Sequence, residues 1–303
     1  MCAMKMHADE ADIDVSLVRR LLAGQFPQWS DLLIERVRSA GTVNAIYRLG
    51  VGMAVRLPRV GRWAADLEKE YEWLPVLAPH LPLAVPEPLA LGSPAEGYPW
   101  RWAVYRWLDG EDATRRPIAD LNQAAIDLAR FVSDLRRIDA AGAPPATRGA
   151  LAARDVPTRR AIANLDGLID TDAATAAWEV SLRAPAWDDA PVWTHGDLLA
   201  TNLLVRDGRL SAVIDLGSAG AGDPAFDLLC AWSVLSAESR AVFRSASAVD
   251  DATWSRGRGF ALSVALIQLP YYKDTNPVLA ANARTVIGEV LADRESGASR
   301  GYP

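Results

Sequence analysis

Residues 194–228 read THGDLLATNLLVRDGRLSAVIDLGSAGAGDPAFDL, and this stretch decides how the rest of the chain is read. It places Asp197, Asn202 and Asp215 within 19 positions, each beside apolar residues of strand type. Oxygen-bearing side chains next to apolar strand segments are a poor way to build a core. They suit holding magnesium and orienting a hydroxyl nucleophile around a nucleotide triphosphate. A short loop after His195-Gly196-Asp197 lets one carboxylate face a substrate while the next strand brings Asn202 back to a metal. Asp215 follows the apolar run 210–214 and precedes Leu216-Gly217, where a glycine is expected to permit the tight turn that aims the carboxylate. At Gly222-Asp223-Pro224, the aspartate and proline suit an N-cap and first helical position, with Asp227 in the first turn.

Working outward, the chain divides by periodicity. Residues 14–26 read as a short amphipathic helix, with Val15, Val18, Leu21 and Leu22 on one side. Residues 32–37, 43–49, 52–57, 88–91 and 101–108 read as strands, rich in branched residues and bounded by glycine or proline. Residues 63–74 read as a helix that Pro75 should end. After Asp109-Gly110 the period changes. Residues 118–138 carry apolar side chains at 3.6-residue spacing, and helices are expected over 156–182, 225–235, 252–269 and 276–291. The prediction is an α+β chain: a β-rich N-terminal lobe, residues 1–108, and a helical C-terminal lobe, residues 109–303, holding the motif of 194–228.

The motif HGDLLATNLL followed by IDLG resembles the catalytic and metal-binding loops of the aminoglycoside phosphotransferase family, which has a bilobal protein-kinase-like fold. Macrolide phosphotransferases are similar members. The resemblance implies transfer of the γ-phosphate of ATP, or of GTP, to a hydroxyl of a small molecule with Mg2+, aminoglycoside and macrolide antibiotics being candidate acceptors. It implies Asp197 as the catalytic base, with Asn202 and Asp215 on the metal. His195 resembles the histidine that holds the loop.

The N-terminal lobe supplies the other half of the resemblance. Met53-Ala54-Val55-Arg56 lies over the kinase Val-Ala-Ile-Lys strand. Strand alternation puts Ala54 and Arg56 on one face, leaving room for adenine beside a cation for the phosphates. Arginine stands where that pattern has lysine, and its planar fork has different geometry. Arg59 is a rival for the same role. Glu70 resembles the helix glutamate that pairs with this cation, with Glu68 or a plain solvated helix face as competing readings. Ser39, Gly41 and Asn44 occupy the position of the nucleotide-covering loop, assigned by order along the chain. The hinge falls at 105–108, which brings Trp107 to the nucleotide.

Composition narrows the classes. The chain has 303 residues, is 50% hydrophobic and carries a net charge of −6. An acidic chain without a basic stripe does not fit a nucleic-acid binder. No apolar run approaches 18 residues, and no signal core precedes the first helix, so a cytoplasmic protein without a membrane span is expected. Two cysteines, Cys2 and Cys230, imply no disulfide framework, and three histidines without an HExxH pattern argue against zinc. A protein kinase is disfavoured, because the HRD and APE signatures are missing. The competing class is a nucleotide-binding module that has lost catalysis, suggested by Arg56 and the single glycine of the nucleotide loop. The acidic groups Asp109, Glu111, Asp112, Asp188 and Asp189 are either an attraction for a cationic acceptor or solvated loops.

Overall fold

A computed structural model describes residues 10–37, 41–147 and 149–298 of the chain. It begins with α1 (Val15–Gln25), capped by the Asp14 carboxylate on the Leu17 N–H at 2.7 Å. An isolated helix of this length is marginal in water. What holds it is burial of Leu17, Val18, Leu21 and Leu22 against a sheet.

That sheet contains β1 (Ile34–Arg36), β2 (Asn44–Leu49), β3 (Met53–Pro58), β4 (Pro88–Gly92) and β5 (Trp102–Arg106). The strands run in the spatial order β1-β2-β3-β5-β4, with every pair antiparallel. Alternation divides β5 cleanly. Trp102 and Val104 join the core under α1, while Ala103 and Tyr105 join the core on the other face, with Leu67, Leu74 and Leu77 of α2 (Ala64–Leu77). Pro75 does not end this helix. It lies inside the last turn, and the chain stays helical to Leu77 because Leu74 and Leu77 are both buried there.

Beyond residue 107 the elements are helical around two small sheets. The strand β6 (Glu111–Asp112) pairs with β8 (Leu203–Arg206), which forms a hairpin with β9 (Arg209–Val213). The strand β7 (Val192–Thr194) pairs with β10 (Gly220–Gly222). The periodic stretch after 118 is α3 (Leu121–Arg137), N-capped by Asp120. The expected helix over 156–182 is two helices, α4 (Asp155–Asn164) and α5 (Thr171–Leu182). Gly167, at a φ of 74°, and the Asp170 cap on Ala173 separate them. The stretch 225–235 is a 3-10 turn, Pro224–Leu229, followed by α6 (Cys230–Ser233). A further helix, α7 (Ala237–Ser247), has no counterpart in the sequence reading; Ser236 caps it. The last pair, α8 (Asp251–Tyr272) and α9 (Pro277–Ala298), matches the expectation with longer bounds. No helix among the described residues is long and apolar enough to cross a membrane.

Candidate active site

The loop after β7 is held from below. The Asp227 carboxylate is fully buried and accepts the backbone N–H of His195 at 2.8 Å and of Gly196 at 3.0 Å. Burial pushes this carboxyl above the ordinary carboxylate range; the His195 ring and the two amides oppose that shift. The sequence reading gives Asp227 only a helix-start role, yet its side chain reaches back to the loop across 32 positions. Gly196 takes a φ of 79°, and a Cβ there would lie 2.7 Å from the Ser218 carbonyl oxygen. Only glycine fits this turn.

The imidazole of His195 ties two loops together. Its Nδ1 accepts the Asp197 N–H at 3.2 Å, so its Nε2 carries the proton and donates to the Ile214 carbonyl at 3.1 Å. The Ile214 N–H donates to the Asn202 carbonyl at 2.9 Å. Both peptide groups of Ile214 are thereby fastened to the loop that carries Asp197 and Asn202. The Asn202 side chain donates from Nδ2 to the Asp197 backbone oxygen at 2.8 Å and to its Oδ2 at 3.0 Å, which leaves its own Oδ1 as an acceptor.

Asp215 follows directly, at a φ of 67° and ψ of 59°. A left-handed conformation at a non-glycine residue is costly unless its surroundings enforce it. The turn expected of Gly217 is thus made by the aspartate itself. Gly217 has no positive φ and serves close approach instead, since a Cβ there would lie 3.3 Å from Asp66 Cβ on α2. The Asp215 side chain remains about a third exposed, at 32%.

From the other side comes Arg56 on β3. Its Nη1 meets Glu70 Oε1 on α2 at 2.7 Å, and its Nη2 meets Asp215 Oδ1 at 3.1 Å. The same Glu70 oxygen accepts the Leu216 N–H at 3.3 Å. Burial acts to lower the Arg56 guanidinium, but Glu70 and Asp215 outweigh it and hold it raised. Burial also raises the Glu70 carboxyl, against the pull of Arg56. The first direction favours the ion and the second the neutral acid. A guanidinium contact of 2.7 Å plus a backbone donor decides for the ion pair. The rivals stand elsewhere. Arg59 pairs with Glu10 at 3.7 Å, and Glu68 with Arg101 at 3.6 Å on the surface.

These groups surround a cavity of about 300 Å³ whose walls include Gly41, Asn44, Ala54, Arg56, Trp107, Asn202 and Asp215. Strand alternation works as expected: Ala54 and Arg56 face the cavity, while Val55 and Leu57 are in the core under α1. Asn44 Oδ1 is buried there without a partner. The indole of Trp107 donates to Asp109 at 3.1 Å, under the Arg48 guanidinium at 4.7 Å. Ser39, expected in the nucleotide-covering loop, lies outside the described residues. Asp197 is joined to the cavity wall through Asn202.

The model of the phosphotransferase enzyme family matches residues 35–260. The chain belongs to this family. Aminoglycoside 3'-phosphotransferase from Escherichia coli is 35% identical over 78 residues, which is 23% of this chain and 29% of that protein. The chain thus aligns with less than a third of that relative's length. Among solved structures, the GDP complex of aminoglycoside 2'-phosphotransferase-IIIa superposes with a TM-score of 0.72 at 19% identity, covering 93% of this chain and 100% of that one. The apoenzyme of a macrolide 2'-phosphotransferase from Brachybacterium faecium superposes at 0.59 and 23% identity, covering 91% and 98%. At these identities the likeness establishes the fold, the bilobal kinase-like α+β arrangement expected from the sequence.

Proposed function

We propose that the chain is a cytoplasmic, nucleotide-dependent O-phosphotransferase that moves the γ-phosphate of ATP or GTP to a hydroxyl of a small molecule. The observation that carries this reading is the continuous chain of contacts Glu70–Arg56–Asp215 beside Asn202–Asp197 around one cavity. The cavity is the donor site, set between a β-rich lobe ending near residue 108 and a helical lobe. Ala54 leaves space for the base. At the hinge, the amides of Arg106 and Trp107 are taken by Glu87 and Gly52, which leaves Leu108 to meet the base edge. Arg56, fixed by Glu70, neutralises phosphate charge. Gly41 and Asn44 line the nucleotide-covering side.

Asp215 and Asn202 have the oxygen donors that magnesium requires: one partly exposed carboxylate and one amide oxygen. Among the described residues no group of three or more His, Cys, Asp or Glu could hold a metal ion. Such a pair suits an ion that completes its shell with phosphate oxygens and water. When bound, magnesium would neutralise charge developing on the β- and γ-phosphates. Asp197 accepts the proton of the acceptor hydroxyl as its oxygen bonds to the γ-phosphorus and the bridge to the β-phosphate breaks. His195 keeps this aspartate in place and does not itself transfer the proton.

Retention of the Glu70 contact by Arg56 counts against a module without catalysis. The test is turnover with magnesium and ATP or GTP against aminoglycosides, macrolides, choline and homoserine, with products identified by mass spectrometry. Asp197→Ala is expected to lower turnover by roughly 10²-fold or more with nucleotide affinity unchanged. A variant that keeps wild-type turnover removes the mechanism.

A further inference from the structure

The strand β2 opens on Asn44, and Gly41, Val43 and Asn44 all line the cavity that holds Arg56 and Asp215. Strand register fixes which end of the cavity they cover. Across β2 and β3, Arg48 stands opposite Ala54, Ile46 opposite Arg56 and Asn44 opposite Pro58. The step from Ala54 to Arg56 runs from the proposed base side to the proposed phosphate side. Asn44 lies one pleat repeat further the same way, about 7 Å. Its buried Oδ1, which has no partner, is therefore at the phosphate end. The same amide carries two N–H donors, which suit phosphate oxygens.

This segment is gripped from two directions. From β3, the Arg59 N–H donates to the Val43 carbonyl at 2.9 Å, and Arg59 Nε donates to the Asn44 carbonyl at 3.2 Å. The rival cation of the sequence reading thus holds the backbone of the covering segment rather than facing the cavity. From the helical lobe, Tyr272 at the end of α8 brings its hydroxyl to 3.3 Å from that of buried Thr42, 230 positions away in the chain; either can donate. Tyr272 is itself well fixed. Its carbonyl accepts the amides of Thr275 and Asn276 at 3.1 and 2.9 Å, and Asn276 Oδ1 accepts the Leu279 N–H of α9 at 3.2 Å. Its ring meets Tyr271 in a T-shaped contact at 4.7 Å.

We propose that Tyr272 is a positioning residue for the phosphate end of the donor site. It holds Thr42 from the helical lobe while Arg59 holds residues 43 and 44 from the β-rich lobe, and together they keep Asn44 over the phosphates. This rests on reading the cavity as a nucleotide site. At 3.3 Å the Thr42–Tyr272 contact is longer than the usual hydroxyl pair, about 2.7–2.8 Å. It therefore adds little to stability, and its loss shows in nucleotide binding.

The probes are the non-hydrolysable imidodiphosphate analogues of ATP and GTP with magnesium, titrated calorimetrically into the full chain, the tighter binder serving for every variant. Tyr272→Phe keeps the ring and deletes the hydroxyl. Thr42→Val keeps the shape and deletes the partner. Each is expected to raise Kd about fivefold, and the double variant to raise it no further, because both remove one contact. Thr42→Ser retains a hydroxyl and is expected to bind as the wild type does. Thermal unfolding should be unmoved throughout. Single variants with the wild-type Kd, a Thr42→Ser as weak as Thr42→Val, or a double variant whose effects multiply to about 25-fold overturn the positioning role. So does a fall in Tm that accompanies the loss of binding, since it assigns the contact to the fold. If those proteins still transfer phosphate, the phosphotransferase reading stands. Kd changes as expected in a protein that phosphorylates no acceptor support the positioning role and overturn the reaction. Failure of the wild type to bind either analogue overturns both.

Discussion

Replacing Glu70 with leucine tests how the proposed donor site is held together. Leucine is close to glutamate in volume, so the change removes a charge more than it opens a hole. Arg56 is 10% exposed in its side chain and would keep only Asp215, at 3.1 Å. Breaking a buried ion pair by deleting one partner costs about 3–5 kcal/mol, and the residual Asp215 contact points to the lower end. The Leu216 N–H also loses its acceptor, which adds about 1 kcal/mol. The sum is about 4 kcal/mol. With an unfolding entropy of about 2.1 cal/mol/K per residue, a chain of 303 residues should lose roughly 6 °C in Tm. Function should suffer in a particular way. On the proposed metal role of Asp215, the guanidinium released from Glu70 should settle on Asp215 and compete with magnesium, raising the magnesium concentration for half-maximal turnover. The double variant Glu70→Leu/Arg56→Met removes both ions and should recover most of the stability without recovering turnover. Thermal unfolding followed by circular dichroism and a magnesium titration read the two effects. A Glu70→Leu protein that melts with the wild type, or a double variant no more stable than the single, would refute the ion-pair account.

Asp215→Asn should weaken magnesium-dependent nucleotide binding and nearly abolish turnover, while Asn202→Ala should first raise the magnesium requirement; titrations that overlay the wild type would remove both metal roles. Gly196→Ala must fit a Cβ 2.7 Å from the Ser218 carbonyl at a φ of 79°, and should cost about 2–3 kcal/mol together with turnover, checked by urea unfolding and steady-state kinetics. Asp227 has a raised folded pKa, so its protonated form favours the fold: its contribution is complete below the unfolded pKa of about 3.9 and is lost as pH rises through the folded value. The stability of the wild type relative to Asp227→Asn should therefore fall as pH rises from about 3.9; a difference that grows over that range would contradict the assignment.

The parts legible in the sequence are those where spacing and local chemistry coincide. Strand alternation places Ala54 and Arg56 on the cavity face, because a period of two follows from backbone geometry. Asp197, Asn202 and Asp215 stand out because polar residues beside apolar strand segments need a reason; each lies just outside a strand. Tertiary contacts were less readable. Pro75 reads as a stop, but burial of Leu77 outweighs the lost hydrogen bond. Residues 156–182 read as one helix because the apolar pattern continues across Gly167, and the Asp170 cap is the signal that marks the break. The helix after Ser236 has a capping serine, but only α3 packing shows that it persists. Asp227 illustrates the limit: its position suits a first turn, while its bonds go to amides 31 and 32 residues earlier.

The contacts at Ile214 explain how three separate side chains become one site. Its N–H is held by Asn202, and its carbonyl is held by His195, whose other nitrogen holds the Asp197 amide. The residue that follows is Asp215, in a left-handed conformation that aspartate adopts more readily than most non-glycine residues but still at a cost. The constraint is visible on both sides: Ile214 is pinned to the Asp197 loop, and the Leu216 amide is pinned to Glu70 on α2. Asp215 thus sits in a strained turn anchored by one lobe at each end, with Arg56 across from it. Any shift of α2 relative to the Asp197 loop must pull on this turn. Asp215, Arg56 and the Asp197 loop are thus linked through contacts on both sides of this turn.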